Sequence, residues 1–186
     1  MRYALMIGLL AVTACDNVED PEDGENEEEV ITTVVLTLDD GSGATEYRWA
    51  DPEDDGNPVI DDITLAAGTT YTGTVEFLNE LEDPAEDITA EIEDEADEHQ
   101  VLFTYGSELT VNTTDTDGNG LPIGLAFELT ATADADLTIT LRHLPEEDGT
   151  AVKVDGLQED AQANGVDSLP GDTDVTATFP ILTATM

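Results

Sequence analysis

From Val30 onward the apolar residues recur mostly with a period of two, the signature of strands that bury one face. Val34, Leu36 and Leu38 share one side of the first run, with Thr33 and Thr37 on the other. Asp39, Asp40, Gly41, Ser42 and Gly43 then read as a hairpin turn. The next run sets Tyr47 and Trp49 inward against Glu46 and Arg48 outward; residues 51–58 form an acidic loop and 60–65 a weaker strand. Tyr71, Val75 and Phe77 lie opposite Thr72, Thr74 and Glu76. The alternation returns at Val101/Phe103/Tyr105, Leu109/Val111, Leu125/Phe127/Leu129, Leu137/Ile139/Leu141 and Val175/Ala177/Phe179/Ile181. Short strands separated by Gly, Asp, Asn and Pro predict an all-β fold, an antiparallel immunoglobulin-like β-sandwich. The 26 threonines agree, because a β-branched polar residue suits the solvent face of a sheet.

One segment departs from this period. Asp83, Pro84 and Glu86 supply a cap residue, a first-turn proline and a third-position carboxylate. Ala85, Ile88, Ile92 and Ala96 follow at helical spacing, predicting one short acidic helix over residues 83–98. Its outer face carries carboxylates with no cation among them, so like charges one turn apart weaken it.

The first fifteen residues form a separate unit. Arg2, an apolar run over residues 3–12 and the small-residue end Thr13-Ala14-Cys15 make the tripartite pattern of an export signal. The run is too short to span a bilayer, which takes roughly 20 apolar residues. Val12-Thr13-Ala14-Cys15 resembles the lipobox of bacterial lipoproteins. That resemblance implies cleavage after residue 14, acylation of Cys15 and a stable membrane anchor, since two or more acyl chains hold where one does not. Cys15 is the only cysteine, so an intramolecular disulfide is impossible. Residues 16–29 then hold nine carboxylates and one aliphatic residue, Val18. Such a stretch buries too little apolar surface to order itself, and residues 15–29 read as a lipidated cysteine with an acidic tether. Acidic residues after that cysteine resemble surface-export signals of some lipoproteins, whereas Asp16 resembles an inner-membrane retention signal. The expected location is the bacterial cell envelope, periplasmic or surface-exposed, with residues 30–186 as the folded domain.

Gly68 through Glu80, Glu98-His99-Gln100, Asp117-Gly118-Asn119-Gly120 and Ile139 through His143 carry a further likeness. Through them the body resembles small Bacteroidota-type lipoproteins catalogued as type 1 periplasmic binding domain proteins. The resemblance implies a lipoprotein β-domain and no particular activity.

Composition narrows the partners. The chain of 186 residues carries 45 acidic and 4 basic residues, a formal charge of −41. Nucleic acid, bound through clustered cations, is excluded as a partner, as is electrostatic adhesion to anionic lipid. Without its first 29 residues the domain keeps 36 acids against Arg48, Arg142 and Lys153, a formal −33. A like-sign field of that size opposes compactness and is relieved by salt, which suits saline surroundings.

Two constellations offer chemistry. Asp115, Asp117 and Asn119, followed by Gly120, match the opening of a calcium loop, although the position of the closing glutamate is held by Ala126. Asp51, Glu53, Asp54 and Asp55 form a less specific second candidate. His99, at the helix-to-strand junction, and His143, near a strand end, would hold a transition metal if the fold brought them together with a carboxylate such as Glu98. Neither Ser42, Ser107 nor Ser168 sits in a nucleophile elbow. The leading expectation is a non-catalytic binding or structural module, tied to the membrane by its lipid and without an obligatory cofactor. Its protein or glycan ligand is left open. A calcium- or transition-metal-binding envelope protein is the alternative, and a carboxylate-based hydrolase the third.

Overall fold

The computed structural model describes residues 29–53 and 55–184; Cys15, the segment before it and residues 16–28 lie outside that range. In chain order the strands are β1 (Thr33–Asp39), β2 (Ala44–Ala50), β3 (Val59–Ile60), β4 (Ile63–Ala66), β5 (Thr70–Asn79) and β6 (Glu86–Asp87). Then come helix α1 (Thr89–Asp94), β7 (His99–Tyr105), β8 (Leu109–Thr113), β9 (Ala126–Ala131) and β10 (Ala135–His143). Helix α2 (Leu157–Asn164) and the long β11 (Asp172–Ala184) complete the fold. One sheet runs β3-β2-β1-β5-β9-β8 with β6 paired to β5; the other runs β4-β11-β10-β7. The domain is an all-β sandwich, as the alternation predicts. Every strand pair is antiparallel except β4 with β11, which run parallel.

The core lies between the sheets. Val34, Leu36 and Phe77 meet Phe103, Ile139, Leu141 and Phe179 there, and Phe127 sits 4.8 Å from Phe103 across the gap. Gly73 faces Phe127 in register, and any side chain at that glycine would collide with the Phe127 ring. A strand glycine covered by a cross-strand aromatic makes room for a large core residue. Weak alternation over 60–65 has a physical cause: the segment splits, and β3 ends in one sheet while β4 joins the other.

Both helical segments differ from the sequence expectation. Residues 83–85 are not helical, and Glu86 and Asp87 pair with Leu78 and Asn79 before α1 begins at Thr89. The helix stops at Asp94, with no basic residue in its last turn to offset the carbonyl dipole. Its six residues are what two buried isoleucines, Ile88 and Ile92, can hold against carboxylate repulsion. The second helix, α2, has no counterpart in the predicted elements. Leu157 and Ala161 pack on Leu102 and Leu144, on the face of β7 turned away from the main core. Gln158 and Gln162 each accept from a backbone amide of β7 and donate to the same residue's carbonyl, at Phe103 and Tyr105. Two side-chain amides one turn apart thus stand where a further strand would pair, closing that sheet edge. Among the described residues no helix is long and apolar enough to cross a membrane.

Candidate metal centre

The two histidines are register partners: His143 ends β10 directly opposite His99 at the start of β7. Their rings stack with centroids 4.5 Å apart and planes 13° from parallel. His99 is fully buried and His143 is 6% exposed. The chain around His143 is tightly shaped. Gly171, at φ 74°, lies so close to the His143 carbonyl that a side chain there would collide with it. Arg142 anchors the same turn, donating to the Thr173 hydroxyl and to the carbonyls of Leu169, Pro170 and Gly171.

The carboxylate of the cluster is Glu29, not Glu98. Glu29 Oε1 stands 3.2 Å from His99 Nε2, although 70 residues separate the two in sequence. Its side chain is only 9% exposed, so the last residue of the segment read as a tether is held inside the fold. Glu98 is half-buried and bonds through its backbone carbonyl to the Leu144 amide. Among the described residues, Glu29, His99 and His143 form the one group whose donor atoms lie close enough for a shared ion, within 4.8 Å of one another.

Each ring has a different hydrogen-bond environment. The carbonyl of Glu95, just past α1, accepts from His99 Nδ1–H at 3.2 Å, which orients the ring and turns Nε2 toward Glu29. Burial pushes the His99 pKa down, but the Glu29 hydrogen bond and charge, helped by the Glu95 carbonyl and Asp174, outweigh it and hold the value above normal. Burial likewise resists ionisation of Glu29, and the His99 contact reverses this to leave its pKa below normal. Among the described residues, neither His143 Nδ1 nor Glu29 Oε2, both buried, has a hydrogen-bond partner. Leaving such atoms unsatisfied costs roughly 1–3 kcal/mol each. A cavity of about 500 Å³, lined in part by Val30, Trp49, Leu81 and Asp174, opens onto Glu29.

The second sequence candidate is built differently. Asp115 accepts the amides of Gly124 and Ala126, both at 2.9 Å, and Asp117 Oδ1 accepts those of Asn119 and Leu121 at 2.8 and 2.9 Å. Asp117 Oδ2 faces the Lys153 ammonium at 2.9 Å, with both side chains fully buried. Lys153 also donates to the Ala96 carbonyl at 2.6 Å. Asn119 is exposed. Lys153 therefore supplies the positive charge that a calcium ion would bring, and the loop is an anchored turn. Asp51 accepts the amides of Asp55 and Gly56, and Asp54 lies outside the described residues.

No family model, curated protein or solved structure matches this chain. What the cluster can do follows from its own atoms. Two imidazoles and a carboxylate form a donor set for borderline transition metals. Sequence reasoning missed Glu29 because it stands in a run of chemically equal neighbours, Glu27 and Glu28. It missed Lys153 and α2 because the segment from 145 to 170 carries no strong periodic signal.

Proposed function

We propose that this chain is a lipid-anchored protein of the bacterial cell envelope whose β-sandwich serves as a non-catalytic binding module. The observation that carries the binding reading is the Glu29–His99–His143 cluster, where two buried donor atoms stand without hydrogen-bond partners among the described residues. Its position adds support: Glu29 is the last residue of the acidic run 16–29, so the cluster joins the end of that run to β7 and β10. The sequence Val12-Thr13-Ala14-Cys15 supports the anchor, and the acidic surface suits a saline medium more than an anionic partner.

The anchor is tested by fractionation and labelling. Wild-type protein is expected in the detergent phase with incorporated fatty acid, and Cys15→Ser in the soluble fraction as an unlabelled precursor. Equal partitioning of the two forms, with no label in the wild type, would overturn the anchored reading.

A further inference from the structure

We infer that Glu29, His99 and His143 bind one divalent transition-metal ion of borderline softness, such as Zn²⁺, Ni²⁺ or Cu²⁺. This deepens the binding-module reading and rests on it. Three donors, one oxygen and two nitrogens, already lie within 4.8 Å of one another in a buried site. A metal-binding histidine usually donates its other N–H to a carbonyl or carboxylate, which sets the tautomer and aims the free nitrogen. His99 has that arrangement, with Nδ1–H on the Glu95 carbonyl and Nε2 toward Glu29. His143 Nδ1 and Glu29 Oε2 are the complementary observation, since each is a buried donor atom with no hydrogen-bond partner among the described residues.

The stacked rings show which residue moves. A ring nitrogen donates its lone pair in the plane of the ring, so two nearly parallel rings do not converge on one point. In a tetrahedral site with metal–nitrogen distances of 2.0–2.1 Å, neighbouring ligand atoms stand roughly 3.3 Å apart. The cluster must close by about 1.5 Å, and one ring must turn. His99 is held at both nitrogens, whereas His143 Nδ1 has no hydrogen-bond partner among the described residues, so a turn of His143 breaks fewer hydrogen bonds than a turn of His99. The ion enters through the cavity beside Glu29.

Charge and softness choose the ion. One carboxylate and two neutral imidazoles leave a dipositive ion with a single net charge, which the formal −33 of the domain accommodates. Ca²⁺ and Mg²⁺ prefer all-oxygen shells of six or more ligands and are poor occupants of two imidazoles. Three protein ligands leave at least one position for water or an outside donor. Because Glu29 is one of the three, a bound ion would pin the chain where the acidic segment meets the sandwich.

The test uses the full chain in detergent micelles with one equivalent of Cu²⁺, read by electron paramagnetic resonance. Hyperfine splitting from two imidazole nitrogens is expected. His99→Gln and His143→Gln should each remove one nitrogen and weaken Zn²⁺ affinity, measured by calorimetry, at least about a hundredfold, since even supporting residues cost 10–100-fold. Glu46→Gln, an exposed acid on β2, should change neither reading. A tenfold excess of Ca²⁺ should leave the spectrum intact. An all-oxygen spectrum in the wild type, displacement by Ca²⁺, or unchanged affinity in His143→Gln would overturn the site. The wild-type spectrum decides the matter even if a variant misfolds. Cys15→Ser should keep the same spectrum, so loss of the metal site and loss of the anchor are read separately.

Discussion

Among the described residues, two buried contacts pair a carboxylate with a lysine or a histidine, and they are finished to different degrees. At Lys153 and Asp117 every charge is answered: the ammonium meets a carboxylate and the Ala96 carbonyl, and the carboxylate also takes two backbone amides. At Glu29, His99 and His143 the carboxylate meets one imidazole, and among the described residues two donor atoms lack a hydrogen-bond partner. Buried polar groups in native folds are nearly always satisfied, and these residual atoms are the ones the proposed metal ion would satisfy. The contrast also explains how a chain with so few cations uses them. Arg48 pairs with Glu80 on the surface, Arg142 holds the turn beside His143, and Lys153 fastens the acidic loop. Each of these three described cations is a cross-tie.

The largest effect expected from this contrast is at the closed group. Lys153→Ala strands the Asp117 charge in the interior and should cost about 3–5 kcal/mol, measured by urea unfolding. The double variant Lys153→Met/Asp117→Leu should regain most of that loss, because replacing a buried pair by apolar groups is often neutral. A loss below about 1 kcal/mol in Lys153→Ala would show that the tie carries little stability.

Next in size is pH dependence, measured on chelator-treated protein. Burial opposes ionisation of Asp117, but the Lys153 and backbone hydrogen bonds win and depress its pKa below 3.8. Its contribution is therefore full above pH 3.8 and is lost as pH falls through the lower folded value. The raised pKa of His99 works in the opposite sense: its contribution is full below about pH 6.5 and is lost as pH rises through the folded value above that. Glu29, depressed from 4.5, contributes above that pH. The open cluster should thus stabilise most between about pH 4.5 and 6.5. His99→Gln should remove the decline above pH 6.5 and leave the steep acid limb of Asp117 in place. A His99→Gln profile parallel to wild type across pH 6–9 would break the distinction.

The smallest effect concerns the surface. Raising NaCl screens the self-repulsion of the domain, and the melting temperature should climb by at least about 4 °C from low to molar salt, given roughly 2–4 °C per kcal/mol for a domain of this size. Lys153→Ala should keep the wild-type slope, because its loss lies in the interior, beyond the reach of screening ions. A flat salt response in both proteins would show that the surface field is not a stability determinant.

Much of this was legible along the chain. Alternation at Val34/Leu36/Leu38, Tyr71/Val75/Phe77 and Leu137/Ile139/Leu141 determines strands and their inward faces, because a pleated strand has only two sides. Parity also places His143 with Leu141 and Ile139, on the rim of the core. Other features depend on partners distant in sequence. Residues 83–98 have helical spacing, yet pairing with β5 captures Glu86 and Asp87, a choice local propensity does not contain. Helix α2 is weakly amphipathic by sequence and exists because the outer face of β7 needs cover. The meeting of His99 with His143 is a matter of strand register, and the contact of Glu29 with His99 joins residues 70 apart in sequence. The sequence by itself determined a β-rich, acidic body, preceded by residues 12–15 that resemble a lipobox. Only the tertiary structure decided which carboxylate faces the histidines and which cation closes the acidic loop, because both are long-range contacts among chemically equivalent candidates.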